Sequence, residues 1–421
     1  MNKLCDNCKR NGRVWCPHNT ALEIRARLSG SLKQDMFGPS PPNIFVGHNF
    51  YPNVYWGPLV SESSVADEPQ QMYGMSMEDI IENRARMVRG MKRSGVKENS
   101  RMLDEAQQAI MSIKAVDAEA HFSKTPVFSL QLDDVAHPVG ASAPIEKFKV
   151  SDNPEIPKKV DELHEEGVKA QDALSELLLE GFDVHYLSKL LTSGILGKPE
   201  NRKLVPTKWA ITATDDIAAK QYLESVRNCR ELEAPCVYSN SYLDNHFEIL
   251  LLPGNWEYEQ FETALTMEIE ELRRKREQKT MGGAPSGHLP GIRLSFAAWA
   301  EWKYDGRVNI SEEHEMFGGR TAYAESQGGG YYAARFGVCE ALYKMRRQAR
   351  AIVFREIGTG YSVPVGVWEV RENVRHAFTK APESFETNEQ ALAHLQERLC
   401  IPIKEYMRKS KVLLQRRLNE F

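Results

Sequence analysis

Phe37-Gly38-Pro39-Ser40-Pro41-Pro42-Asn43-Ile44-Phe45-Val46-Gly47, followed three residues on by Tyr51-Pro52-Asn53-Val54-Tyr55-Trp56-Gly57-Pro58-Leu59, is the stretch that sets the fold class. Its five prolines and three glycines rule out a long helix, because proline lacks the amide donor and glycine raises the entropy of ordering. Two short apolar runs, 44–46 and 54–56, remain as strands bounded by proline. Downstream the period changes. Ser76 with Asp79 three residues later makes a capping-box variant, and Met77, Ile80, Ile81, Met87, Val88 and Met91 follow at helical spacing, predicting a helix over 76–90. Strands and helices in irregular order predict an α+β fold of mixed helices and short strands.

Working outward, the patterns predict helices at 21–32 and 102–113, then extended chain at 127–132. Pro138, Gly140, Pro144, Pro154 and Pro157 mark 137–157 as a linker, where we place a boundary. Beyond it we expect helices at 160–179, stopped by Gly181, and at 215–226. A hairpin should pair 236–239 with 247–252 through Asp244-Asn245. Residues 258–279 read as a helix with a basic end, 281–287 as a flexible link and 292–302 as strand candidates. Gly328-Gly329-Gly330 opens a helix to about 348, 350–357 is a strand, 367–377 a helix, and 388–421 a pair of helices broken by Pro402. The expected organisation is a leader (1–20), an N-terminal α+β region (21–150), a C-terminal α+β region (151–400) and a terminal helix with a protruding tail (401–421).

Composition narrows the class. The 421 residues are 42% hydrophobic and 27% charged, as in a globular protein rather than a disordered or fibrous one. No apolar run approaches the ~20 residues of a membrane helix. The N-terminus has no apolar segment of the kind a secretion signal needs, so the expected location is cytoplasmic, with reduced thiols. A net charge of −4 argues against a uniformly basic surface and leaves local patches, such as Lys344-Met345-Arg346-Arg347, for any contact with DNA.

Three of the seven cysteines fall within the first sixteen residues. Cys5, Cys8, Cys16 and His18 supply four soft or borderline donors, the set that closes a tetrahedron around structural zinc. Cys5-x2-Cys8 makes a tight knuckle, and Asn11-Gly12 offers the turn that brings the second pair back. Lys9, Arg10 and Arg13 interleave with Trp15, a combination suited to phosphate and base contacts.

At the other end, Gln415, Leu418 and Phe421 stand three apart, so one 3₁₀ turn places all three on a single side. This resembles the PCNA-interacting peptide of sliding-clamp partners. The resemblance implies that Leu418 and Phe421 enter an apolar pocket on the clamp and Gln415 a polar one. An amphipathic helix packing Leu413, Leu414, Leu418 and Phe421 on the protein's own core is the other reading.

The leader, the Phe37-Gly38-Pro39-Ser40-Pro41-Pro42 segment and the tail together resemble the archaeal Nre family of DNA-repair proteins. The interior pieces carrying the likeness are residues 37–59, Arg202-Lys203-Leu204-Val205-Pro206-Thr207-Lys208-Trp209-Ala210-Ile211-Thr212-Ala213-Thr214-Asp215-Asp216, and Gly329-Gly330-Tyr331-Tyr332-Ala333-Ala334-Arg335. The family's metal motif is read as four cysteines where this chain has His18, and an arginine often stands where it has His48. The resemblance implies repair of DNA through the sliding clamp PCNA, and no catalytic mechanism comes with it.

The residues themselves leave alternatives open. Arg202, Lys203 and Lys208 are anion binders beside Asp215 and Asp216, two acids able to hold Mg²⁺ or to cap a helix. Gly329 and Gly330 with Arg335 could cradle a phosphate, or make a tight turn. A Mg²⁺-dependent, nuclease-like enzyme using Asp215 and Asp216, or an RNA-processing zinc protein, would therefore compete with the clamp-recruited repair factor.

Overall fold

The computed structural model of the chain describes residues 4–10, 16–128, 140–265, 309–361 and 363–414. Its contacts divide it into two compact units, Pro17–Gln221 and the pair Met1–Cys16 with Tyr222–Phe421. Helices and strands mix in both, the α+β class that the sequence predicts. No helix among the described residues is long and apolar enough to cross a membrane.

Pro17–Gln221 is built on a six-stranded sheet of β1 (Asp35–Ser40), β2 (Ile44–Val46), β3 (Asn53–Val60), β4 (Val88–Gly95), β5 (Val116–Phe122) and β6 (Ser142–Val150), in the order β1-β5-β6-β4-β3-β2. All neighbours run antiparallel except β4 and β6. Pro39 sits on edge strand β1, where a missing donor is tolerated. Pro58 lies in β3 where the ladder to β4 skips two residues, between Trp56↔Lys92 and Leu59↔Arg89. Gly57 is required beside it, because a Cβ there would stand 2.0 Å from the carbonyl oxygen of Gly90.

Four expectations need correction in this unit. The helix opened by Ser76 forms with its capping box but ends at Ala85, and Val88 begins β4. Met87, Val88 and Met91 fit helical spacing by accident, and pairing with β3 and β6 overrides it. The segment read as a linker contains β6, whose alternation is broken by a β-bulge between His121 and Phe122 of its partner. The single helix expected at 160–179 is two, Lys158–Glu166 and Ala170–Leu179, parted at Gly167 with φ +64°. The helix expected at 215–226 starts earlier and spans Thr207–Val226.

The other unit carries a six-stranded sheet and a two-stranded one. Its strands are β7 (Arg230–Glu231), β8 (Cys236–Tyr242), β9 (Asn245–Leu252), β10 (Glu257–Ala264), β11 (Ile310–Glu315), β12 (Arg347–Gln348), β13 (Arg350–Ile357) and β14 (Glu383–Ser384). The large sheet runs β11-β10-β13-β9-β8-β14, with only β10 and β13 parallel, and β7 pairs with β12. The expected hairpin is β8–β9, turning on Leu243 and Asp244, both at positive φ, as a two-residue turn between twisted strands requires.

One face of this sheet is covered by an apolar cluster from the C-terminal helices, in which Leu395, Ile401, Tyr406 and Val412 pack on Leu250, Phe261 and Phe354. The rings of Phe261, Phe354 and Tyr406 meet edge-on or stacked at 5.1–5.5 Å. The helices Gly329–Met345 and Trp368–Ala377 bring their buried side chains to the opposite face.

The helix expected from 258 is instead strand β10 as far as Ala264. β10 is buried on both faces yet polar on each, with Glu259 and Thr263 on one and Gln260 and Glu262 on the other, so no apolar alternation announces it. Residues 266–308, with the remaining expectations for that stretch, lie outside the described residues.

Candidate metal centre and a buried ionisable face

Each half of the cysteine leader is placed by a helix start. Cys5 immediately precedes the helix Asp6–Arg10, which carries Cys8 in its first turn. Cys16 immediately precedes Pro17–Leu28, whose proline at the first helical position has its φ already set, and His18 follows one residue later. The three sulfurs and an imidazole nitrogen lie within 4.8 Å of one another, with Cys8 and Cys16 fully buried. A tetrahedral zinc with bonds near 2.3 Å keeps its ligands about 3.8 Å apart, so the donors fit zinc in number, softness and spacing. Bound there, zinc would supply structural cross-linking, four protein ligands leaving no open position for chemistry. This is the one such ligand group among the described residues. Asn11, Gly12, Arg13 and Trp15 lie outside them.

The other residues singled out in the sequence fall as follows. Arg202 ties its own loop, donating Nε to the Gly197 carbonyl at 2.9 Å and Nη2 to that of His164. Lys203 and Lys208 are exposed. Asp215 and Asp216 sit in mid-helix rather than at a helix start, so the cap role does not apply. Adjacent helical residues point about 100° apart. Asp215 is fully buried, whereas Asp216 reaches Lys220 at 2.6 Å. Lys344 pairs with Glu340 at 3.1 Å and Arg347 stands 3.8 Å from Glu233. Gln415, Leu418 and Phe421 lie outside the described residues.

Gly329 and Gly330 open the helix Gly329–Met345 against a carboxylate of the chain itself, a Cβ on Gly330 falling 2.9 Å from Glu262 Oε1. Arg335 is buried and pairs with Glu315 at 2.8 Å. Both belong to an ionisable face that sequence reasoning missed. Tyr258, Gln260 and Glu262 alternate along β10 toward it, opposite Glu315, Glu313 and Ser311 of β11, with Arg355 of β13 beside Glu262. Arg355 donates to Glu262 at 3.0 Å, to Asn245 Oδ1 at 2.7 and 3.0 Å, and to Glu369 at 3.4 Å. Glu315 accepts from Trp256 Nε1 at 3.2 Å and from the Tyr331 hydroxyl at 3.2 Å. Glu313 accepts from Arg320 at 2.8 Å and from the Ser326 hydroxyl at 2.6 Å. Both faces of β10 carry buried polar side chains, so no apolar–polar alternation in the sequence marks this face.

Burial would lower Arg355, but Glu262 and Glu369 hold its pKa above the ordinary value. Burial pushes the Glu369 carboxyl up to about 7; Arg355 and Asn373 oppose the shift and Glu262 adds to it. One guanidinium cannot fully compensate two buried carboxylates, so Glu369 holds its proton well above its ordinary 4.5. Between these values the folded chain binds a proton that the unfolded chain has lost. This group's stabilisation is therefore complete below about pH 4.5 and is lost as the pH rises through about 7. Glu369→Gln should melt above the wild type at pH 8 and with it at pH 5. Parallel melting curves at both values would show that Glu369 ionises freely.

Comparison with known proteins returns one consistent picture. The family described as "Archaeal Nre, N-terminal" matches residues 11–268, and "Archaeal Nre, C-terminal" matches 315–421. The chain is 35% identical over 409 residues to DNA repair protein NreA of Archaeoglobus fulgidus, covering 94% of this chain and 93% of the relative. It is 32% identical over 429 residues to DNA repair protein NreB of the same organism, covering 99% of each. Against DNA repair protein NreA of Haloferax volcanii it is 31% identical over 391 residues, covering 89% and 86%. No solved structure matches.

Proposed function

This chain belongs to the archaeal Nre family, and from that premise we propose that it acts in DNA repair. In this reading it is brought to DNA by the sliding clamp PCNA through Gln415, Leu418 and Phe421, and carries structural zinc on Cys5, Cys8, Cys16 and His18. The repair role is carried by the relatives named DNA repair proteins, which align with 89–99% of the chain. The zinc reading is supported by four convergent donors of the right chemistry. Its part is to hold the short leader in shape, so that Lys9 is presented to phosphates from a constant backbone, while sequence readout is left to other contacts.

The clamp reading is supported by the three-residue spacing of glutamine, leucine and phenylalanine. Basic Arg408, Lys409, Lys411, Arg416 and Arg417 around that segment add salt-sensitive steering toward an acidic partner. Calorimetric titration with the clamp tests it. Protein lacking residues 415–421 should show no binding and an unchanged melting temperature, and Phe421→Ala should weaken binding at least about tenfold. Equal affinity of the truncated and full-length proteins would remove the clamp from the proposal.

A further inference from the structure

We propose that an exposed aromatic and cationic face of the unit Pro17–Gln221 binds unpaired bases of single-stranded DNA. Phe50, Tyr51, Tyr55 and Trp209 stack on bases, while Arg93 and Lys208 hold the neighbouring phosphates. The inference deepens the repair reading and rests on it.

The fold brings together two stretches that are remote in sequence. The turn between β2 and β3 carries Phe50 and Tyr51, and the first turn of the helix Thr207–Val226 carries Lys208 and Trp209. They are fastened by the amide of Val46, which donates to the Thr207 hydroxyl at 2.9 Å. The Tyr51 and Trp209 rings meet at 5.2 Å, and those of Phe50 and Tyr55 at 6.5 Å. Arg93, the cross-strand partner of Tyr55, holds its guanidinium 5.6 Å from the Phe50 ring and 5.8 Å from that of Tyr55.

These rings are not core. Phe50 is 67% exposed, Trp209 45%, Tyr51 41% and Tyr55 40%, a contiguous set of large aromatics that the fold leaves in water. Phe50 also sits at φ +68°, a left-handed conformation that a bulky residue rarely adopts, and it gains no burial there.

The charges decide the occupant. Among the described residues no carboxylate pairs with Arg93, Lys203 or Lys208, whereas nearby Lys92 is taken by Glu98 at 2.6 Å. Exposed rings interleaved with uncompensated cations match a polyanion whose bases are free to stack, which a duplex does not offer. A protein partner would have to bring its own acidic groups to this surface.

Fluorescence anisotropy with the full-length protein and a labelled oligo-dT of about 20 nucleotides, beside its duplex and an oligo-U control, tests the proposal. The single strand should bind more tightly than the duplex. Trp209→Ala and Tyr55→Ala should each weaken binding about tenfold. Trp209→Phe should restore most of the affinity, and Arg93→Glu should reduce the salt dependence. Deleting residues 415–421 should change nothing. Should Trp209→Ala fail to fold, the exposed Tyr55→Ala and Arg93→Glu variants carry the same test.

Unaltered oligo-dT binding in every folded variant overturns this surface and leaves the repair reading standing. Absence of binding to any DNA by the wild type overturns both. Tighter binding of oligo-U than of oligo-dT overturns the assignment to DNA.

Discussion

Purified Cys8→Ser protein will carry under about a tenth of an equivalent of zinc by elemental analysis, against one equivalent in the wild type. Cys8 is fully buried among the other donors, so its sulfur has no substitute from solvent without opening the leader. Structural zinc sites of this kind contribute ~10–16 kcal/mol of apparent binding energy at neutral pH, nearly all of which is folding energy for so short a segment. The two helices that follow Cys5 and Cys16 bring their own ligands within range, and the metal would tie them together. A strong chelator should therefore reproduce the effect of Cys8→Ser, while His18→Cys should keep the metal, since a fourth thiolate completes the tetrahedron as well as an imidazole. Wild-type protein free of zinc as isolated would refute the assignment.

The second large effect is expected at Arg355. Arg355→Met leaves Glu262 and Glu369 buried with no cation between them, and removing one partner from a buried ionic set typically costs about 3–5 kcal/mol. For a unit of this size that corresponds to a melting temperature roughly 10 °C lower. The loss should shrink when Glu262→Gln and Glu369→Gln are added, because the penalty arises from uncompensated charge rather than from missing volume. Thermal denaturation at pH 7 compares the single and triple variants. Wild-type stability in Arg355→Met would mean that Arg355 supplies no net charge compensation at this site.

Local features were legible in the sequence because their partners lie within a few residues. The Ser76 and Asp79 capping box closes over one helical turn. The β8–β9 hairpin depends on two turn residues. The leader's four donors fall within fourteen residues, so donor chemistry alone singles out Cys5, Cys8, Cys16 and His18. Asp215 and Asp216 show the reverse. As a pair in sequence they suggested a metal site, but a continuous helix sends adjacent side chains in different directions. In sequence Arg335 is a candidate phosphate ligand or part of a tight turn, and only the fold places Glu315 beside it at 2.8 Å.

By itself, then, the sequence determined the mixture of helices and strands, the cluster of metal-binding donor types in the leader and the spacing of the terminal segment. These follow from backbone chemistry and short-range geometry. Tertiary structure alone decided that 257–264 is a strand, that Arg355 sits between Glu262 and Glu369, and that Trp209 meets Tyr51. β10 carries buried polar side chains on both faces, Glu259 and Thr263 on one and Gln260 and Glu262 on the other, so no apolar side reveals its period. Whether a buried charge is tolerable depends on an opposite charge delivered by another strand or helix. Those partners lie 14 residues from Arg355 in one case and 93 in the other, and only the pairing of β10 with β13 and the packing of the helix Trp368–Ala377 bring them within reach.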